Sequence, residues 1–232
     1  MIGTRRGRAA GRLAAALVCA ALWGAAQAAL QEVEWVEATG AQWINTRYVP
    51  AVTDRFEMRV QILSTNETQT LWCARGAALD ANTLTCFVLD PGRLRFDRNA
   101  DTNAYTADGL VKTDAVHVVA ADYATLAASV DGAAQATMAA GDFTAQGPLV
   151  LLASHRAYRS IGNFAKARLF AFRVWNAEGA LVRDFVPVRD TETAQCGLFE
   201  KVTAAFFPGL GRDALVAGDD APGGGGVHRD AC

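Results

Sequence analysis

Little in this sequence points to chemistry. Its three histidines, His117, His155 and His228, are scattered along the chain. It has no Gly-x-Ser-x-Gly elbow, no His-Glu-x-x-His pair and no phosphate-binding loop. Those absences exclude the common serine hydrolases, zinc peptidases and nucleotide-binding proteins, whose reactions need those groups at those spacings. There is no paired Cys-x-x-Cys spacing, which argues against a thiolate metal site. No repeat recurs at a solenoid or propeller period. After the first 28 residues, no apolar run approaches the roughly 20 residues a helix needs to cross a bilayer, so no transmembrane segment is expected.

What is present begins with a leader. Arg5, Arg6, Arg8 and Arg12 precede a nearly unbroken apolar run from Leu13 to Ala26, which closes on Ala26-Gln27-Ala28. That order of charge, apolar stretch and small-residue cleavage site is a Sec-type signal peptide over residues 1–28, and it predicts a secreted or periplasmic protein. Thr4-Arg5-Arg6 lacks the apolar residues expected after a twin-arginine pair. Val18 before Cys19 is larger than a lipoprotein site prefers.

Cleavage there leaves about 204 residues, the size of one β-sandwich domain. Taking the leader's four arginines from the 22 basic residues leaves 18 against 24 acids, a formal charge of −6. An acidic body lacks the basic stripe that displaces phosphate counterions, so no nucleic-acid partner is expected. Export also makes disulfides accessible to Cys73, Cys86, Cys196 and Cys232. Four cysteines allow three pairings. A hairpin centred between Leu79 and Asp80 favours Cys73 with Cys86, leaving Cys196 with Cys232.

From Val33 onward the apolar residues alternate with polar ones in short segments bounded by Gly, Asp, Asn and Pro, which predicts strands. In Phe56-Glu57-Met58-Arg59-Val60-Gln61-Ile62 every second side chain is apolar, as a half-buried strand requires. Further strands are expected over 42–48, 70–75, 84–89, 93–97, 115–123, 126–130, 135–138, 149–154, 165–176 and 181–188, and Phe56, Phe87, Phe170, Phe172, Phe185, Phe199 and Phe206, which fall in strand patterns, read as core. Pro91-Gly92 and Asp131-Gly132 read as hairpin turns, and 99–109 as a surface loop. The Gly223 to Gly226 run marks residues 219–232 as a flexible tail, so the domain is expected to span 29–218.

Three segments carry a resemblance. Asp114 to Tyr123 followed by Ser129-Val130-Asp131-Gly132 resembles the central hairpin of concanavalin A-like, laminin-G-like jelly-roll domains. Ala167 to Asn176, ending Val174-Trp175-Asn176, looks like their late strand. Val36 to Thr46, together with Leu181 to Val188 and Gly197 to Val202, is similar to segments of bacterial secreted proteins of that type. The resemblance implies an all-β fold, an antiparallel two-sheet jelly-roll β-sandwich. It also implies a concave face that in many members binds glycans, sometimes beside a calcium ion.

No cofactor is required by any motif. Asp80, Asp97, Asp101, Asp108 and Asp142 are the loop oxygens that could serve calcium, and each also reads as a turn former. A sugar site needs rings for apolar faces and polar fans for hydroxyls. Trp72, Arg75, His155, Arg156 and Tyr158 are the ligand-binding candidates, although Trp72 lies in a strand, where an indole is more often core than platform. His117, between Val116 and Val118, reads as a strand residue or a ligand. Glu32-Val33-Glu34-Trp35-Val36-Glu37 approximates the carboxylate spacing of the fold's endoglucanases, but lies ahead of the first predicted strands and reads as a solvated edge. The sequence thus points to an exported non-catalytic binding module for carbohydrate or adhesion, with a glycan or a cell-surface protein as partner. A structural or protein-interaction role in an envelope or surface assembly is the second reading, and a glycoside hydrolase the third.

Overall fold

A computed structural model describes residues 30–75, 83–99, 103–155 and 160–222. The leader, Arg156, Tyr158, Asp80, Asp101, His228 and Cys232 lie outside the described residues. All regular structure among the described residues is β, and every pairing is antiparallel.

The larger sheet contains β1 (Leu30–Glu32), β2 (Val36–Thr39), β4 (Arg55–Ile62), β9 (Val116–Asp122), β10 (Ala127–Val130), β11 (Ala133–Thr137), β15 (Lys166–Trp175), β16 (Leu181–Asp190), β17 (Cys196–Glu200), β18 (Ala205–Pro208) and β20 (Val216–Ala217). Its main path runs β11-β10-β9-β4-β15-β16-β17-β18. The second sheet contains β3 (Gln42–Asn45), β5 (Gln69–Arg75), β6 (Thr83–Leu89), β7 (Arg93–Arg98), β8 (Ala104–Tyr105), β12 (Val150–Leu151) and β19 (Leu210–Gly211), in the order β19-β3-β12-β5-β6-β7-β8. A small hairpin, β13 (Ser154–His155) with β14 (Ile161–Gly162), stands apart and packs on β5. The chain is an antiparallel two-sheet jelly-roll β-sandwich, as the resemblance implies, built from strands that the alternation predicts.

The core lies between the sheets. Phe56, Met58, Val60 and Ile62 of β4 are fully buried, and the polar residues between them face outward, so the period of two seen in the sequence is the period of burial. They meet Trp72, Ala74, Leu84, Cys86, Leu94 and Phe96 from the second sheet. At the centre, Trp72 packs against Phe56, Phe96 and Phe172 with ring centroids 6.1, 6.2 and 6.3 Å away, and its indole N–H donates to the Tyr123 hydroxyl at 3.0 Å. Each buried ring stabilises by roughly 1.5–3 kcal/mol.

The turns follow their chemistry. Asp131 (φ 52°) and Gly132 (φ 77°) form the two-residue connection between β10 and β11, where both residues must adopt positive φ. Gly92 (φ 93°) closes the β6–β7 turn, and a Cβ there would meet the Val111 carbonyl oxygen at 2.6 Å. The stretch 149–154, expected as one strand, is broken into β12 and β13 by Leu152, at φ 64°. At the C-terminal side, Asp219 and Ala221 hydrogen-bond to Glu34 and Glu32. Ordered pairing therefore extends past residue 218 into the segment read as the start of the tail.

Register corrects the disulfide expectation. The anticipated hairpin sets Cys73 opposite Cys86, but β5 and β6 pair one residue out of that register from Arg75↔Thr83 onward, so that Trp72 faces Cys86 and Cys73 faces Thr85. A slip of one residue sends a side chain to the opposite face of the sheet. Cys86 therefore points into the core, while Cys73 points outward and accepts a hydrogen bond from the Thr85 hydroxyl at 3.5 Å. Among the described residues Cys73, Cys86 and Cys196 form no disulfide, the expected Cys196–Cys232 pair lying partly outside them, and burial pushes each of the three thiol pKa values up. Peptide mapping of the unreduced protein is expected to yield no Cys73–Cys86 linked peptide. Finding one would require β5 to pair in the other register.

Candidate functional site

The outer face of the second sheet concentrates polar groups. Alternation along β5, β6 and β7 turns Trp72, Leu84, Cys86, Leu94 and Phe96 inward. It therefore turns Thr70, Cys73, Arg75, Thr85, Phe87, Arg95 and Asp97 outward. Register sets Val150, Cys73, Thr85 and Asp97 in one row across four strands, with Thr70, Phe87, Arg95 and Tyr105 in the next. These residues are not uniformly solvated: Thr70, Cys73, Thr85 and Val150 are all at most 1% exposed.

Several side-chain atoms on this face are buried without a hydrogen-bond partner among the described residues: Thr70 Oγ1, Arg75 Nε and Nη1, Arg95 Nε, Asp97 Oδ1 and His155 Nε2. An unsatisfied buried polar group costs about 1–3 kcal/mol, and six such atoms are gathered on this one surface. Arg95 donates to Asp97 Oδ2 through Nη2 at 3.2 Å and lies over the Phe87 ring at 4.1 Å. Burial pushes the Asp97 pKa up against the opposing pull of Arg95. His155 is held below its usual pKa, chiefly by burial and also by the Arg75 charge, against a hydrogen bond to the Pro148 carbonyl. Its ring is therefore neutral near pH 7. With Nε2 unpartnered, the proton sits on Nδ1 and Nε2 is left as an acceptor.

Of the sequence candidates, Arg75 and His155 are brought together here. Trp72 is not: it is 0% exposed on the opposite side of β5, because alternation places it with the core-facing residues. Its candidacy as a platform is corrected to a core role. Arg156 and Tyr158 lie outside the described residues. Thr70, Arg95 and Phe87 were missed as site residues, although Arg93-Leu94-Arg95-Phe96-Asp97 shows in its alternation that Arg95 and Asp97 share the face away from Leu94 and Phe96.

The other motifs resolve structurally. His117 is 6% exposed, its Nε2 accepts from the Lys112 amide at 3.0 Å, and its Nδ1 lies 2.8 Å from Asp131 Oδ2. With both nitrogens engaged it anchors the β9–β10 region and has no free ligand atom. Asp131 is pushed up by partial burial, yet hydrogen bonds from Val118 and His117 leave its pKa lowered on balance. Among the calcium candidates, Asp97 pairs with Arg95 and Asp108 lies 3.6 Å from Arg93. No cluster of three or more His, Cys, Asp or Glu that could hold a metal occurs among the described residues. Glu37 pairs with Arg168 at 2.7 Å on the outer face of the larger sheet, and Glu32 lies 3.7 Å from Lys201. Phe87 and Phe170, expected in the core, instead face outward beneath arginines, Phe170 under Arg59 at 4.7 Å. No helix among the described residues is long and apolar enough to cross a membrane.

No protein-family model and no curated protein matches this chain. Solved structures similar to it include the CBM40 of a Ruminococcus gnavus IT-sialidase, bound to alpha2,3 sialyllactose. That match has 15% identity and a TM-score of 0.49, covering 64% of this chain and 91% of that one. A second structure of that CBM40 matches at 14% identity and a TM-score of 0.48, covering 62% and 90%. A native heptameric SAP-like pentraxin from Limulus polyphemus matches at 13% identity and a TM-score of 0.45, covering 63% and 74%.

Proposed function

We propose that this chain is an exported, non-catalytic binding module of laminin-G-like type, carbohydrate-binding or adhesive, whose ligand docks on the outer face of the second sheet. The observation that carries the reading is the gathering of buried, unpartnered donors and acceptors on that face: Arg75, Arg95, Asp97, Thr70 and His155. A ligand rich in hydroxyls supplies both donors and acceptors at short spacing, and so completes a mixed set of this kind better than an apolar partner does. Arg75 contributes charge and donors, His155 a neutral acceptor, and the Arg95–Asp97 pair one of each. The leader supports export. Nothing in this arrangement supplies a nucleophile with a matched base.

The test is a glycan-array screen of the folded protein, run with calcium and with chelator, followed by affinity measurements on any hit. Arg75→Ala is expected to weaken binding by roughly ten-fold or more while leaving thermal stability unchanged or slightly higher, because it removes a partly buried cation that forms no ion pair among the described residues. Equal affinity in the variant would remove the ligand from this face. Silence across the array from folded protein would favour a structural or protein-binding role.

A further inference from the structure

A second cleft opens on the other sheet, where three loops meet at the rim. Register sets Trp175 of β15, Arg55 of β4 and Asp122 of β9 side by side in one row on the outward face. Thr53, Ala124, Thr125 and the turn from Asn176 to Gly179 complete a cleft of about 310 Å³. That volume is at the small end of ligand sites, suited to one sugar residue at the end of a chain.

Its polar groups are held in place before any ligand arrives. Asp122 Oδ1 accepts from the Ala124 and Thr125 amides, both at 3.0 Å, leaving Oδ2 without a partner among the described residues. Asn176, which lines the cleft, accepts from the Ala180 amide through Oδ1 at 2.9 Å, leaving its Nδ2 without a hydrogen bond among the described residues. The Thr53 and Thr125 hydroxyls add groups that both donate and accept. Trp175 is half-buried, with the Arg55 guanidinium 4.6 Å from its ring centroid, and Arg55 is itself neutralised by Glu57 at 2.9 Å. The cleft therefore combines an indole beside the Arg55 guanidinium, small apolar walls at Ala124 and Ala177, and fixed acceptors and donors among which the Asp122 carboxylate is the one charge without an ion pair among the described residues.

We propose that this cleft is a second binding site, for the terminal residue of an uncharged glycan, separate from the outer face of the other sheet. The indole and alanines would meet the C–H face of a sugar, while Asp122, Asn176 and the threonines would meet its hydroxyls. Preorganisation lowers the ordering cost that a weak monosaccharide contact must overcome. Two sites on opposite sheets of one domain would also let it bridge chains of a multivalent glycan.

The test is a titration of the isotope-labelled full chain with the methyl glycosides of glucose, galactose, mannose and N-acetylglucosamine, followed in amide and indole N–H spectra. The expected result is saturable movement of the Trp175 indole signal and of the amides of 122–125 and 176–179 with at least one glycoside. Trp175→Ala should weaken that binding roughly ten-fold, and Trp175→Tyr, which keeps a ring, should retain most of it and guard against simple misfolding. Movement confined to 70–75, 93–97 and His155 would overturn this inference and leave the outer-face reading standing. Movement confined to the Trp175 cleft would do the reverse. No saturable movement from folded protein would overturn the second site.

Discussion

Trp72→Ala is expected to destabilise the protein by about 3–5 kcal/mol, the usual range for deleting a fully buried large aromatic. Trp72 is 0% exposed and sits among Phe56, Phe96 and Phe172, where the two sheets face each other. Truncation opens a cavity at that junction and also leaves the Tyr123 hydroxyl, itself fully buried, without the indole donor 3.0 Å away. A shift of that size is a large part of a domain's total stability. Chemical denaturation should show a lower midpoint, with Trp72→Phe losing much less because it keeps most of the packing. If Trp72→Ala instead left stability intact and lowered glycan affinity, the residue would be a platform after all, and β5 would have to present its other face.

Glu200→Ala is expected to cost about 3 kcal/mol, through a different mechanism. Glu200 is 0% exposed at the end of β17. One carboxylate oxygen accepts from the Asp184 and Val202 amides, both at 2.9 Å, and the other accepts from the Thr203 amide at 2.8 Å and from the Thr203 hydroxyl. One side chain thus holds the turn from Lys201 to Ala204, including the positive φ of Ala204 at 52°, and ties it to β16. Removing it strands several backbone donors at once. Urea unfolding of Glu200→Ala and of Glu200→Gln separates the contributions. The glutamine variant keeps an acceptor but sets an amide donor against backbone donors, so it should fall between wild type and alanine. A neutral result for both would mean that water takes over these bonds, and that the carboxylate does not organise the turn.

Much of the fold was legible because its signal is local. The alternation of Phe56 to Ile62 predicted both the strand and the face it buries, and Asp131-Gly132 predicted its hairpin from two residues' tolerance of positive φ. The short strands at Leu30–Glu32, Val36–Thr39, Cys196–Glu200 and Ala205–Pro208 were not predicted as strands, since three to five residues carry too little periodicity to stand out. Phe170 was misplaced for a similar reason: the register irregularity between Leu169 and Ala171 shifts the phase of the alternation, and no residue in the stretch announces it.

The candidate site was half legible. Arg75 and His155 were singled out by residue type, but they stand 80 positions apart, and only the packing of the β13–β14 hairpin on β5 brings them to one face. The same holds for Trp175, Arg55 and Asp122, which three separate strands deliver to one row. By itself, the sequence determined an acidic, all-β sandwich without a catalytic motif, because charge and period-two patterning are properties of neighbouring residues. Only the tertiary structure decided that Cys73 and Cys86 face apart, that Trp72 is core, and which polar groups are left buried without partners. Those outcomes depend on strand register, and a shift of one residue, invisible in composition, exchanges the two faces of a sheet.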